Sequence, residues 1–277
     1  VNASRLSDLA AHYSDTDRKT IAAMRLGMID TGVVANHPAL TGTPIAQRSF
    51  VEYANPPATD HGTAVASLLA ADSDEFKGLM PGAKLFVAAV FFDSNSPTGS
   101  AATVVGLVRS LDWLASEDVA LVNMSLSGPP NQILESALNR FRADGMTLIA
   151  AAGNAGPSAA PRYPAAYVGV IAVTAVGSDR RVYRLANRGD YVDFAAPGVD
   201  ILAASASDGY NRWSGTSFAV PFVTALLALD AATSDVWTAQ QAIERLQSKA
   251  FDLGAPGFDP VYGRGLIAGE YWRRRAE

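Results

Sequence analysis

Short apolar runs alternate with longer segments of helical periodicity along this chain, and this alternation constrains its fold more than any other feature. The runs predicted to be buried strands are Arg25–Ile29, Ala83–Phe91, Val119–Ser125, Met146–Ala152 and Tyr167–Ala175. The helical patterns cover Thr63–Ala71, Ala101–Glu117, Asn131–Asp144, Ser217–Ala231 and Ala239–Ser248. Apolar strands separated by helices are typical of a parallel sheet that is covered on both faces. The pattern therefore predicts a three-layer α/β fold with a mostly parallel central sheet.

No internal repeat or low-complexity linker divides the 277 residues, so we expect one domain over residues 1–277. Residues 1–20 are polar and weakly patterned, and we predict an N-terminal arm there. Residues 270–277 include three consecutive arginines and are expected to form a solvated basic tail. The chain has no apolar run long enough for a membrane span. Its net charge of −5 and the lack of a clustered basic surface argue against a nucleic-acid partner.

Two residue counts restrict the chemistry that this chain can perform: it has no cysteine and three histidines. The absence of cysteine excludes disulfides, thiolate nucleophiles and cysteine-ligated zinc. A catalytic histidine must be His12, His37 or His61. We expect His12 to lie in the arm and His37 to stabilise a turn, whereas His61 opens a predicted helix.

Three other polar residues could act together with His61. Asp30 follows the first buried strand, where a carboxylate needs a hydrogen-bond partner such as an imidazole Nδ1–H. Ser217 starts a long apolar helix, and its hydroxyl becomes a good nucleophile only when a base accepts its proton. Asn154 ends a strand in a glycine-containing turn, where its side-chain N–H can stabilise an oxyanion. Sites of parallel sheets form at the carboxyl ends of strands, which is where these motifs fall.

The order of these residues along the chain discriminates between hydrolase scaffolds. No histidine follows Ser217, which excludes the α/β-hydrolase order of serine, acid and histidine. The chymotrypsin order belongs to β-barrels and conflicts with alternating strands and helices. A single Asp-Thr-Gly and the absence of His-Glu-x-x-His disfavour aspartic proteases and metalloproteases. The order aspartate, histidine, serine on a parallel α/β sheet remains.

The motifs around these residues resemble those of the subtilisin-like serine proteases, or subtilases, over residues 26–268. The matching segments are Met28–Gly32, His61–Ala66, Asn123–Leu126, Ala152–Asn154, Ala196–Gly198, Gly215–Pro221 and Tyr262–Ile267. The resemblance implies that Ser217 is the nucleophile and His61 the general acid and base. It also implies that Asp30 orients His61, and that Asn154 and the Ser217 backbone N–H form an oxyanion hole.

The resemblance further implies where an extended polypeptide substrate would bind. The S1 pocket, which takes the P1 side chain before the scissile bond, would be walled by Ser125, Leu126, Ser127, Ala151, Ala152 and Gly153. The substrate backbone would pair with a segment containing Gly99, Ser100 and Ala101.

Arg162 departs from the family pattern, since it precedes Tyr163–Pro164 where a small residue often forms the pocket floor. Two alternatives follow. Arg162 reaches into S1 and favours an acidic or polar P1 side chain, because guanidinium pairs well with carboxylate. Otherwise Arg162 turns to solvent and S1 is an ordinary apolar slot.

The family's strong calcium site is also altered, and we expect no required cofactor and no metal centre. Ala39 stands where the family has a calcium-binding aspartate, and Asp72–Lys77 replaces the calcium loop. We expect a solvated acidic turn there. Asp193 could match a weaker cation site.

The resemblance implies a secreted or periplasmic enzyme that acts on extended polypeptides. The chain begins at Val1 without a signal-like segment, which is typical of a processed product. A removed pro-segment would then act as an inhibitor, and we expect a monomer. Two alternatives stay open: a catalytically silent binding module, and a transpeptidase or macrocyclase that passes the acyl-enzyme to an amine. The intact catalytic positions favour an active endopeptidase.

Overall fold

The computed structural model describes residues 14–51, 59–93, 100–207, 209–234 and 237–267. Within these ranges the strands are β1 (Arg25–Asp30), β2 (Ile45–Ser49), β3 (Lys84–Ala89), β4 (Phe91–Asp93), β5 (Ser100–Ala102), β6 (Leu121–Met124), β7 (Thr147–Ala151), β8 (Ile171–Val176), β9 (Phe194–Pro197), β10 (Ile201–Ala204) and β11 (Tyr210–Trp213). The helices are α1 (Asp15–Ala23), α2 (Asp60–Ala70), α3 (Val104–Ser116), α4 (Gln132–Ala143), α5 (Val220–Ala232) and α6 (Ala239–Lys249). Short 3₁₀ turns cover Pro38–Leu40 and Thr216–Phe218. His12, Gly99 and the predicted basic tail lie outside the described residues.

A seven-stranded sheet in the order β2-β3-β1-β6-β7-β8-β9 forms the centre of the fold. Every pair of neighbouring strands in it is parallel, which confirms the predicted sheet. All residues of β6, β7 and β8 are buried, because helices cover both faces. The edge strand β2 is more polar and ends in three exposed residues. This burial explains why the inner strands are apolar throughout.

The two faces of the sheet pack against different helices, as side-chain alternation along a strand requires. On β7, Leu148 and Ala150 join the core that contains the buried side chains of α3 and α4. Ile149 and Ala151 join the larger core beneath α2, α5 and α6. The predicted three-layer α/β architecture is therefore confirmed.

Several boundaries differ from the prediction. The predicted helix begins at Ala101, but Ser100–Ala102 forms β5 and pairs antiparallel with β4. Helix α3 begins only after Thr103, whose hydroxyl accepts the Gly106 N–H. The described end of the predicted N-terminal arm is helical, since Ser14 opens α1 with a capping box. The short strands β2, β9, β10 and β11 were not predicted. No helix in the described part of the chain is both long and apolar enough to cross a bilayer.

The parallel sheet brings the predicted site residues to one edge. Strands β1, β6 and β7 are consecutive neighbours. Their carboxyl ends lead into Asp30, the segment from Ser125, and the turn with Asn154. Because parallel strands end on the same side, these groups lie together.

Candidate active site

Asp30 and His61 form a direct hydrogen bond at this edge. Asp30 ends β1 and is fully buried, and its Oδ1 lies 2.7 Å from His61 Nδ1. The same oxygen accepts the Thr31 backbone N–H at 2.6 Å. A carboxylate only accepts hydrogen bonds, so Nδ1 of His61 carries the proton and Nε2 is left as the basic nitrogen. Within the described residues, Asp30 Oδ2 is buried without a hydrogen-bond partner.

The surroundings of His61 favour its charged form. His61 is the second residue of α2, and its side chain is 33% exposed. Burial of the ring opposes the positive charge, but the pKa of His61 is raised overall by the charge and hydrogen bond of Asp30 and by the charge of Asp60. The imidazolium that would form when His61 accepts a proton is therefore stabilised.

Ser217 lies in the 3₁₀ turn before α5 rather than in the predicted helix itself. Ser217 is buried, with 8% of the residue exposed. The hydroxyl donates to the Ser125 carbonyl oxygen at 3.1 Å, and the Ser125 hydroxyl donates to the Ser217 carbonyl oxygen at 2.7 Å. The ring of the next residue, Phe218, lies 5.4 Å from the His61 ring. The serine segment is therefore held between Ser125 and His61.

A buried polar chain supports this serine segment, and sequence reasoning did not identify it as functional. Asn123 Nδ2 donates to Ser125 Oγ at 2.9 Å, and Thr224 Oγ1 donates to Asn123 Oδ1 at 3.3 Å. Asn123 and Thr224 are both fully buried. Buried polar groups are costly unless they are paired, so a polar residue within an apolar strand or helix was the available signal.

The side chain of Asn154 is oriented by Thr216. Asn154 Oδ1 accepts the Thr216 backbone N–H at 3.0 Å and its hydroxyl at 3.1 Å. Both contacts require the oxygen, so the amide nitrogen Nδ2 is turned away from Thr216 and is available as a donor. A side chain at Gly215 would contact this amide nitrogen, at 3.1 Å from the added Cβ. In the described part of the chain, the Ser217 backbone N–H has no acceptor, so it is a second available donor.

The predicted walls of the S1 pocket lie side by side. Backbone hydrogen bonds of 2.7 and 3.0 Å join Gly128 to Tyr163, which brings the segment after Ser125 next to Arg162. A Cβ added to Gly153 would lie 2.8 Å from Arg162 Cγ, so the arginine stem packs directly on this wall. Tyr191 closes the same region by donating to the Ala152 carbonyl oxygen at 2.8 Å.

Arg162 is partly buried between these walls. Burial raises the pKa of Tyr191, although the Arg162 backbone and its nearby guanidinium charge act in the opposite direction. Among the described residues, the guanidinium forms no ion pair or hydrogen bond. The predicted walls Leu126, Ala151, Ala152 and Gly153 are buried, whereas Ser127 is exposed at the rim. Ser100 and Ala101 lie in β5, which has one strand partner, β4, within the described ranges.

The residues at the family's calcium positions do not fit the metal. Ala39 is fully buried and offers no oxygen ligand from its side chain. Asp72 Oδ1 is paired with Lys77 Nζ at 2.5 Å. Asp193 accepts the Ala172 N–H at 2.9 Å and lies 3.9 Å from Arg264 Nε. No cluster of three or more potential His, Cys, Asp or Glu ligands occurs in the described ranges.

Comparisons with known proteins identify the family of this chain. Residues 22–265 match the model of the subtilase family. Subtilisin DY of Bacillus licheniformis is 35% identical over 254 residues, which span 89% of each chain. Fervidolysin of Fervidobacterium pennivorans, described as a keratinolytic enzyme related to subtilisin, superposes with a TM-score of 0.81 at 26% identity, over 97% of this chain and 45% of that one. A serine-to-alanine mutant of the PatA protease domain superposes with a TM-score of 0.77 at 25% identity, over 91% of this chain and 94% of that one. The chain therefore belongs to the subtilase family, the subtilisin-like serine endopeptidases.

Proposed function

We propose that this protease cleaves peptide bonds through an acyl-enzyme formed on Ser217, with His61 as general acid and base and Asp30 as its orienting partner. The observation that carries this proposal is the 2.7 Å hydrogen bond between His61 Nδ1 and the fully buried Asp30. It leaves the basic Nε2 of His61 on the side of the ring away from Asp30. The contact between the His61 and Phe218 rings places that ring close to the serine segment.

The hydroxyl of Ser217 donates to the Ser125 carbonyl oxygen and must turn toward His61 before it attacks. An extended substrate beside the Ser125 segment presents its P1 backbone N–H to that carbonyl oxygen. The substrate thereby competes with the serine hydroxyl for one acceptor. Binding of the substrate then releases the hydroxyl for proton transfer to His61 Nε2.

Acylation and deacylation each involve two proton transfers through His61. Ser217 Oγ forms a bond to the substrate carbonyl carbon while its proton moves to His61 Nε2. That proton then passes to the leaving amine nitrogen as the carbon–nitrogen bond breaks. In deacylation, a water oxygen bonds to the ester carbon while its proton moves to His61 Nε2, and that proton passes to Ser217 Oγ as the ester carbon–oxygen bond breaks and the acid product leaves.

The oxyanion formed in both steps needs donors that do not reorganise. Asn154 Nδ2 and the Ser217 backbone N–H serve this purpose. The two hydrogen bonds from Thr216 to Asn154 Oδ1 support the assignment, because they hold the amide group in one orientation.

We propose that Arg162 gives S1 a preference for an acidic P1 side chain. We favour this over the alternative in which Arg162 turns to solvent and S1 is an ordinary apolar slot. The support is the packing of its stem on Gly153 and the lack of a counter-ion among the described residues. A P1 carboxylate would supply that counter-ion.

We also propose that the enzyme requires no cofactor, and no calcium in particular, because Lys77 neutralises Asp72 in the replaced loop. The partly buried Asp193 has an arginine beside it at the weaker cation position.

The family context supports a secreted or periplasmic monomer whose activity is held back by a removable pro-segment, and these points remain part of the proposal. Fractionation of the source cells tests the location, and the sedimentation coefficient of the purified chain tests the oligomeric state.

Labelling with a serine-directed phosphonate tests the catalytic assignment. We expect the folded wild type to be labelled at Ser217 and the Ser217→Ala variant to remain unlabelled. The control is Ser116→Ala, which removes an exposed hydroxyl at the end of α3 and is expected to label normally. Failure of the folded wild type to label would contradict the proposal and favour a silent binding module. Mass analysis of products then separates hydrolysis, which adds water, from transpeptidation or macrocyclisation, which does not.

A further inference from the structure

The residue before His61 is a carboxylate that contacts a different element of the fold. Asp60 is the exposed first residue of α2, and its Oδ1 accepts the Ala206 backbone N–H at 2.8 Å and the Ser205 hydroxyl at 3.1 Å. Both donors lie in the turn after β10. A helix-capping carboxylate would instead bond N–H groups of its own helix. Asp60 therefore joins α2 to the β10–β11 hairpin.

The hairpin that Asp60 contacts leads directly into the serine segment. Strands β10 and β11 pair from Ile201–Trp213 to Ala204–Tyr210, and Trp213 is followed within the same loop by Ser217. A second link joins the same two elements, since the buried Ser67 Oγ on α2 accepts the Ala204 N–H at 3.0 Å. The helix that carries His61 and the hairpin that leads to Ser217 are thus held together at two points.

Aromatic side chains provide a path from the hairpin to the reacting groups. The Trp213 ring lies 5.4 Å from the Phe218 ring, and the Phe218 ring lies 5.4 Å from the His61 ring. These rings are packed against each other, so a displacement of the hairpin would shift Phe218 and the imidazole relative to each other.

Asp60 also affects His61 electrostatically. The two carboxylates that raise the pKa of His61 are Asp30, at the end of β1, and Asp60 on α2 itself. From the hairpin, the described residues that bond Asp60 are Ser205 and Ala206, and neither is charged. Among the described residues, Asp30 and Asp60 are therefore the charged groups that act on His61.

We propose that Asp60 is a positioning residue that holds the β10–β11 hairpin, and with it the Ser217 segment, in register with His61. This inference rests on the proposed triad. The carboxylate oxygen of Asp60, as a hydrogen-bond acceptor, holds the hairpin in place, and its negative charge raises the pKa of His61.

Three variants separate these two roles. Asp60→Ala removes the acceptor and the charge, and we expect a roughly tenfold loss of kcat with a smaller change in KM, because a small misplacement of reacting groups is costly. Asp60→Asn keeps a side-chain oxygen as acceptor and should recover most of the lost kcat. Ser205→Ala removes one of the two donors and should give an intermediate kcat. Each is compared with the wild type by kcat, KM and thermal unfolding.

The pH profile gives a readout that a merely structural role would not change. Loss of a negative charge beside His61 lowers its pKa, so the acid limb of kcat/KM should move to lower pH in both Asp60 variants. The matched control is Glu135→Gln, which removes a first-turn carboxylate from α4 and should leave the acid limb in place. An unmoved acid limb in Asp60→Asn, or no recovery of kcat relative to Asp60→Ala, would overturn the inference.

Phosphonate labelling distinguishes failure of this inference from failure of the proposed function. Folded Asp60 variants that label at Ser217 but show wild-type kcat and an unmoved acid limb refute the positioning role alone. A folded wild type that does not label refutes the triad. If Asp60→Ala does not fold, two variants still test the positioning role. Asp60→Asn tests it through the acid limb of kcat/KM, and Ser205→Ala tests it through kcat.

Discussion

Replacing Arg162 with glutamine should reduce the preference for glutamate over glutamine at P1. The substitution removes the guanidinium but keeps a polar side chain whose stem can still pack on Gly153. In the wild type, the guanidinium of the partly buried Arg162 has no counter-ion among the described residues, so a P1 carboxylate does not displace an existing ion pair there. The interaction with substrate is therefore gained rather than exchanged.

The magnitude follows from the burial of the site. A hydrogen bond to a charged group contributes about 1.5–3 kcal/mol when the pair is protected from water. Arg162 is only partly buried, so solvent screening favours the lower end of this range, about 1.5 kcal/mol. This corresponds to roughly a tenfold preference in kcat/KM for P1 glutamate over its neutral isostere glutamine.

Internally quenched peptides that differ only at P1 measure this preference. The ratio of kcat/KM for glutamate to that for glutamine should fall about tenfold in Arg162→Gln, while Arg162→Lys should retain part of it. The control is Arg140→Gln, which removes an exposed charge from the last turn of α4 and should leave the ratio unchanged. Added salt should lower the wild-type ratio, because it screens a partly exposed pair.

Equal ratios in the wild type and Arg162→Gln would refute the role of Arg162. The side chain would then turn to solvent, and a preference for apolar P1 residues in both proteins would identify S1 as an ordinary apolar slot.

Two further predictions concern the support of the oxyanion donor and the replaced calcium loop. Thr216→Val removes the hydroxyl that contacts Asn154 and Gly153, so kcat should fall by roughly tenfold with little change in KM. The control Thr216→Ser keeps the hydroxyl, and its kcat should stay near that of the wild type. A change confined to KM would contradict this prediction. Chelation with EDTA should leave the unfolding temperature unchanged, while Lys77→Met should cost about 0.5–1 kcal/mol by unpairing Asp72 at a partly exposed site. A lower unfolding temperature in EDTA that added calcium restores would show that calcium binds.

Much of the fold could be predicted because its inner strands have no exposed face. β6, β7 and β8 are buried along their whole length, and this burial produces the apolar runs that indicate a parallel sheet. The edge strand β2 and the hairpin strand β11 carry polar residues and resemble loops in sequence, and the apolar strand β10 is only four residues long. Short strands of this kind are defined by their partners rather than by periodicity.

The candidate catalytic residues could be predicted because a parallel sheet gathers the segments that follow its strands. The structure brings Asp30 against His61 and places both near the Ser217 segment, as the motifs indicate. The reciprocal bonds between Ser125 and Ser217 could not be predicted, since they join residues 92 positions apart and depend on how two loops pack. The same holds for Asp60 and Ala206, which are 146 positions apart.

The members of the candidate triad differ in how firmly the fold holds them. Asp30 ends an inner strand and is fixed by the sheet, and Ser217 is tied to Ser125 through two hydrogen bonds. His61 keeps a third of its side chain exposed, and in the described structure its only hydrogen-bond partner on the ring is Asp30. The imidazole is therefore the group whose position depends most on its helix. Asp60 fixes the start of α2, where the triad has the least other support. Loss of this contact should therefore have a larger effect on kcat than on the free energy of unfolding.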